Sequence, residues 1–255
     1  MRAGSPVDLS AGIAVRSADL GGERPLEGPE SSRISGDVVP SGVVLLTDRW
    51  QARWPLVEVV EAAVVGGVRW VVLREKDLSR AERAALAAEL RAILTAAAGG
   101  RLIVAGPDPL DGDAVHLPAA GPYPPPAAGL VGRSCHDATE LGRLTTEDYV
   151  TLSPVFPTRT KPGYGPPLHP AGLRELIAAS PVPVLALGGI ETPDQVRECM
   201  VAGAAGVAVL GALMRADDPT EVAAALTGAA GRAGHGAARP ARSRPQPPPQ
   251  PREAT

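Results

Sequence analysis

The sequence predicts an α/β protein, a compact TIM barrel of the (β/α)8 type, from three observations. Eight short apolar runs rich in β-branched residues recur between residues 41 and 230. Most are continuously apolar rather than alternating, the pattern of parallel strands covered on both faces. Helical windows with recognisable start signals lie between several of them, so strand and helix alternate along the chain.

VVLL (43–46) opens the series and ends at Thr47-Asp48. WVVL (70–73) runs into Arg74-Glu75-Lys76. Ser79, with Glu82 three positions on, then starts a helix: the hydroxyl can accept from a free first-turn amide while the acid reaches back. RLIV (101–104) and AVHL (114–117) follow, separated by AGPDPLDGD; PAAGPYPPPAA leads from AVHL to GLVG (129–132). Prolines recur in both windows and exclude a full helix, so the connections around strands three to five are expected to be short. The fifth run is followed by Ser134-Cys135-His136, and Asp137 with Glu140 repeats the capping pattern. YVTL (149–152), VPVLAL (182–187) and GVAVL (206–210) complete the set. Thr192 with Gln195 and Asp218 with Glu221 start the last helices, with Pro193 and Pro219 at the first helical position, where a missing N–H costs nothing.

The barrel is assigned to residues 41–230. Residues 1–40 mix Gly, Ser, Pro and charge without periodicity, and residues 231–255 hold six prolines and five arginines. Both compositions bury too little apolar surface to offset their ordering entropy, so disordered N- and C-terminal tails are expected. The chain has 255 residues, 25 basic and 28 acidic side chains and a net charge of −3. That balance argues against a nucleic-acid coat. No apolar run approaches the roughly 20 residues of a membrane helix. Pro6 and Asp8 interrupt the apolar segment a secretory leader would need. Cys135 and Cys199 form no CxxC, which reads as reduced thiols in a cytoplasmic protein.

In such a barrel the active site gathers at the C-terminal ends of the strands, so residues just after each run are the candidates. Gly188-Gly189 after the seventh run and Gly211 after the eighth let backbone amides approach an anion, and phosphate binding is expected there. Arg74 and Lys76 flank Glu75 on one loop and can clamp an anionic substrate. Of the 25 basic residues 23 are arginines, so the lysines, Lys76 and Lys161, suggest a compact donor that guanidinium does not replace. Lys161 lies in SPVFPTRTKPGYGPP, a loop rich in Pro, Gly and hydroxyls that can close over the mouth. His136 is the candidate general acid/base, His116 a wall residue, and Cys135 a nucleophile with nothing nearby to activate it.

These segments, in this order, resemble the thiamine-phosphate synthase and thiazole tautomerase superfamily. The motifs are LLTD (45–48), LREKDLS (73–79), VHLP (115–118), GRSCHD (132–137), SPVFPTRTKPGYGPPL (153–168), LALGGI (185–190) and AAGVAVLGAL (204–213). The likeness spans about residues 42–225. It implies a TIM barrel acting in thiamine biosynthesis on a small-molecule thiazole phosphate, with no nucleic-acid or membrane partner. In the synthase branch, a hydroxymethylpyrimidine diphosphate is joined to the thiazole phosphate with loss of diphosphate, assisted by magnesium. Arg74 and Lys76 would then face the diphosphate, with Ser134 beside it as it leaves. Thr158, Thr160 and Lys161 would hold phosphate, and Gly188 and Gly189 would bind the thiazole phosphate.

The chain departs from the synthase pattern at three places. Val72 stands for a glutamine. Ala105 and Gly106 stand for an Asn-Asp pair that recognises pyrimidine and metal. Gly121 stands for a second metal-binding aspartate. Asp108, Asp111 and Asp113 are near in sequence, so a shifted ligand stays open. The tautomerase branch, which resembles this chain in GRSxH, needs no metal: His136 would shuttle a proton over the ring while the loops at Gly188-Gly189 and Gly211 anchor the phosphate. The sequence therefore leads with a metal-independent thiazole tautomerase, followed by magnesium-assisted synthesis and by a non-catalytic phosphate-ligand regulator. A homo-oligomer, and a thiazole-forming partner enzyme that hands over substrate, both stay open.

Overall fold

A computed structural model describes residues 39–97, 99–158 and 166–234. The chain divides at Ser35, and everything described belongs to the second part, 36–255. Eight parallel strands close into a barrel in sequence order, β1 through β8. These are β1 Gly42–Leu46, β2 Trp70–Leu73, β3 Arg101–Ala105, β4 Ala114–Leu117, β5 Leu130–Cys135, β6 Tyr149–Leu152, β7 Val184–Leu187 and β8 Gly206–Val209. Helices α1 (Leu56–Val65) and α2 (Arg80–Ala96) follow β1 and β2; α3 (Ala138–Leu141), α4 (His169–Ala179) and α5 (Pro193–Val201) follow β5, β6 and β7. After β8 come α6 (Gly211–Met214) and α7 (Pro219–Gly234).

The continuous apolar runs have the origin expected of them. Val43 and Leu45 pack outward against the helical layer, whereas Val44 and Leu46 join Trp70, Val72, Ile103 and Tyr149 inside the barrel. Because side chains alternate faces and both faces are covered, most strand positions are apolar. The start signals also act as read. Ser79 accepts from the Glu82 amide and Thr192 from that of Gln195, each in a complete capping box. Asp137 and Asp218 accept from the amides of Glu140 and Glu221.

β3 to β4 and β4 to β5 are joined without a helix, as the prolines require. α3 spans only 4 residues, so the trimmed side of the barrel extends through β6. The buried Arg133 does the work of a covering helix there. It pairs with the buried Glu147 at 2.5 Å and donates to the carbonyls of Pro118 and Pro122 at 3.0 and 2.8 Å.

Five strands differ in their bounds from expectation; β1 starts one residue earlier, at Gly42, and β3 ends one later, at Ala105. β5 runs on through Arg133, Ser134 and Cys135, so Ser134 belongs to the strand rather than to the loop after it. β7 starts at Val184, because Pro183 has no N–H for the ladder and the Val182 amide is taken by Ser180 Oγ. β8 stops at Val209, since Leu210 leaves the strand conformation to precede α6. At the far end α7 continues to Gly234, four residues past the expected domain boundary. Of the expected tails, 1–40 and 231–255, residues 39–40 and 231–234 are described and 1–38 and 235–255 lie outside the described residues.

Candidate active site

The C-terminal mouth of the barrel holds a pocket of about 620 Å3, a size suited to a small molecule. One wall comes from β2. Thr47 Oγ1, buried at the end of β1, accepts the Arg74 amide at 2.9 Å and fixes the chain as it leaves β2. Glu75 is buried and turned away, accepting the Arg49 amide and Nη1 at 3.2 Å. Arg49 also forks onto Asp77 at 2.6 and 2.5 Å, which holds that carboxyl well below the usual range. With both acids drawn to Arg49, Arg74 and Lys76 line the pocket. Arg74 keeps a looser partner in Asp48 at 3.8 Å.

The opposite wall is the β7–β8 corner. Gly188 and Gly189 line the pocket with φ of +99° and +69°, a region that side chains rarely adopt. A Cβ on Gly189 would also sit 2.6 Å from the Phe156 carbonyl, so the loops after β6 and β7 approach at this point only because glycine is there. Gly211 and Ala212 continue the wall. Arg215 reaches the same rim, held by Gln51 Oε1 at 2.9 Å and Glu191 Oε1 at 3.2 Å.

The floor is polar. His116 lies on β4, partly open to the pocket, with Nε2 3.0 Å from Ser134 Oγ and Nδ1 3.1 Å from the Tyr149 hydroxyl. Burial, with the positive fields of Arg133 and Lys76, lowers its pKa to about 4, so its ring is neutral at physiological pH. Gly132 makes room for Tyr149, whose ring would collide with any side chain at that position. His136 sits at the rim after β5. Its Nδ1 and its backbone N–H both meet Glu140 Oε2, at 2.8 and 2.7 Å, so the carboxylate fixes the ring at the rim.

Magnesium requires oxygen ligands, and the described residues offer no cluster of carboxylates to supply them. Gly106 has φ +110° and Gly121 φ +132°, so at both positions the backbone itself has adopted a glycine conformation where an aspartate would be strained. Asp108 is held by Arg80 and the Leu110 amide, and Asp113 by Arg101. Asp111 lies exposed outside the lining. Glu191, paired with Arg215, is the carboxylate among the described lining residues. No cluster of three or more metal-ligating side chains exists among the described residues.

The structure thus brings Arg74, Lys76, Ser134, His136, Thr158, Gly188, Gly189 and Gly211 to one pocket. Thr160 and Lys161 lie outside the described residues. Cys135 is buried and its thiol is pushed up to about 12, mainly by burial, so it is no nucleophile. Sequence reasoning missed Arg83, Arg215 and the Glu140 partner of His136. The first two arise one or more helical turns beyond the strand ends, outside the positions that a strand-end rule inspects. Glu140 was visible only as a capping residue.

A family model described as thiamine monophosphate synthase matches residues 43–213. A provisionally named thiamine-phosphate synthase of Geobacter sulfurreducens is 39% identical over 206 residues, covering 74% of this chain and 93% of its own length. The thiamine-phosphate synthase of Chloroflexus aurantiacus is 36% identical over 179 residues, covering 66% of this chain and 82% of its own. Among solved structures, the thiamine phosphate pyrophosphorylase of Pyrococcus furiosus superposes with a TM-score of 0.64 at 25% identity, covering 75% of this chain and 96% of its own.

Proposed function

The chain belongs to the thiamine monophosphate synthase family, an enzyme family of thiamine biosynthesis, and from that premise we propose that it joins a pyrimidine diphosphate to a thiazole phosphate, forming thiamine phosphate. The observation that carries the reading is the charge of the pocket. Arg74, Lys76 and Arg83 line its β2–β3 side with no carboxylate among the described lining residues there. Such a wall suits a diphosphate leaving group, because fixed cations stabilise charge as it develops on the departing oxygen. The Gly188-Gly189 corner suits the smaller phosphate of the acceptor, through backbone amides that a side chain would block. Ser134, held by the neutral His116, offers a hydroxyl between the two walls.

Sequence alone leads with the tautomerase; the relatives carry the name of the synthase, and the order of the two readings is reversed accordingly. Membership in an enzyme family sets the non-catalytic alternative aside. The tautomerase remains as a second reading because one arrangement favours it. His136 is oriented by Glu140 as a proton shuttle would be, and neither synthesis nor diphosphate release requires one.

Both reactions can be tested in one experiment. Purified protein is given the pyrimidine diphosphate and the thiazole phosphate, and separately the non-aromatic thiazole carboxylate tautomer. Thiamine phosphate and aromatisation are followed by NMR. Formation of thiamine phosphate, retained in His136→Ala, is the expected result. Aromatisation that His136→Ala abolishes, with no thiamine phosphate, would replace the proposal by the second reading.

A further inference from the structure

Among its described residues the pocket has cations for a diphosphate but no cluster of carboxylates for the metal that the family resemblance implies. We propose that Arg83 replaces that metal ion, binding the diphosphate group of the substrate together with Arg74 and Lys76. The inference rests on the synthase reading above. It concerns a residue that neither the strand-end pattern nor the resemblance singles out.

Arg83 is the fourth residue of α2 and is half-buried. Its Nη2 donates to the Ala105 carbonyl at 3.3 Å, at the C-terminal end of β3. This tether places the guanidinium beside positions 105 and 106, where the synthase pattern has Asn-Asp. It uses one of five N–H donors, and Arg83 is part of the pocket lining. The nearby Asp108 is engaged by Arg80 and by the Leu110 amide.

The electrostatics support the exchange. A magnesium ion held by the two aspartates of the synthase pattern contributes a net charge of about zero, +2 from the ion against −2 from the carboxylates. A guanidinium with no carboxylate contributes +1, so the exchange leaves the diphosphate side no less positive, and the guanidinium fork matches two oxygens of a phosphate group. An aspartate restored at 106 would meet this guanidinium and neutralise it. The glycine backbone at 106 and 121 excludes such an acid without strain, so the absence of carboxylates and the presence of Arg83 form one consistent arrangement. In the reaction, the carbon–oxygen bond to the diphosphate breaks with its electron pair staying on the leaving oxygen. A carbon–nitrogen bond to the thiazole forms. Arg83 stays charged throughout and transfers no proton.

The test is calorimetric titration of the full chain with inorganic diphosphate, in EDTA and then with excess magnesium. Wild-type protein is expected to bind in EDTA, with magnesium changing the Kd by less than about twofold. Arg83→Gln is expected to weaken binding in EDTA by at least about tenfold, with Arg83→Lys intermediate because it keeps the charge and loses the fork. Thermal unfolding of both variants separates a binding loss from a folding defect. Binding that requires magnesium, or equal Kd values for wild type, Arg83→Gln and Arg83→Lys, would overturn the inference. The two failures are distinguishable: thiamine phosphate made by a protein whose diphosphate affinity ignores Arg83 leaves the synthase reading intact. Arg83-dependent diphosphate binding without synthesis sinks that reading and retains the site.

Discussion

His116 shows what one residue's surroundings do to its chemistry. Its folded pKa is about 4 while an unfolded histidine titrates near 6.5, so between those values the unfolded chain takes a proton that the folded one refuses. Stability should therefore fall as pH drops through that window, by roughly 2 kcal/mol after allowance for screening by pocket water. It should then level off below the folded pKa. Urea midpoints of wild type and His116→Gln between pH 7 and 4 provide the check: the variant should lack this component of the decline, and parallel curves would refute it. The sequence placed His116 in the barrel wall. Its neutrality could not be read there, since it arises from burial beside Arg133 and Lys76, residues 17 and 40 positions away in the chain. His136 illustrates the same limit, because only the fold reveals that Glu140 accepts from the His136 amide as well as contacting its ring.

At the scale of elements, the helix-free β4–β5 connection depends on Arg133. Burial opposes ionisation of Glu147, yet the Thr145 amide and the Arg133 guanidinium together keep its carboxyl below the usual range. Arg133→Met should leave that carboxylate buried and uncompensated, and should free two carbonyls of the 118–122 segment. A loss of about 3–5 kcal/mol is expected in chemical denaturation. Adding Glu147→Leu should recover much of it, and no recovery would show that the carbonyl contacts dominate. The prolines of this segment announced the missing helix, and the four capping pairs announced helix starts, because both are local effects of backbone geometry. Nothing local announced Arg133 as the replacement: GRSCHD reads equally well with an exposed arginine.

For the whole molecule, the closing seam is the sensitive point. β1 meets β8 with Gly42 opposite Gly206, and a Cβ on Gly206 would lie 2.5 Å from the Gly42 carbonyl. Gly206→Ala should therefore strain the last strand pairing and destabilise the barrel by about 3 kcal/mol or more, measured by thermal or denaturant unfolding. Alanine at Gly142, where a Cβ would meet nothing closer than 3.5 Å, should cost far less, and equal effects would show that closure is not the weak link. Among the described residues no helix is long and apolar enough to cross a membrane.

By itself, the sequence determined the eight parallel strands, the trimmed connections, the capped helices and the phosphate-handling family. Each of these follows from local periodicity, from proline and glycine at fixed places, or from motif order. Tertiary structure alone decided how the mouth is charged. Glu75 and Asp77 turn to Arg49, the backbone at 106 and 121 takes glycine-only conformations, and Arg83 enters from a helix to stand beside β3. Charge in a pocket is a sum over side chains from elements far apart in the chain, so it becomes defined only when the barrel closes.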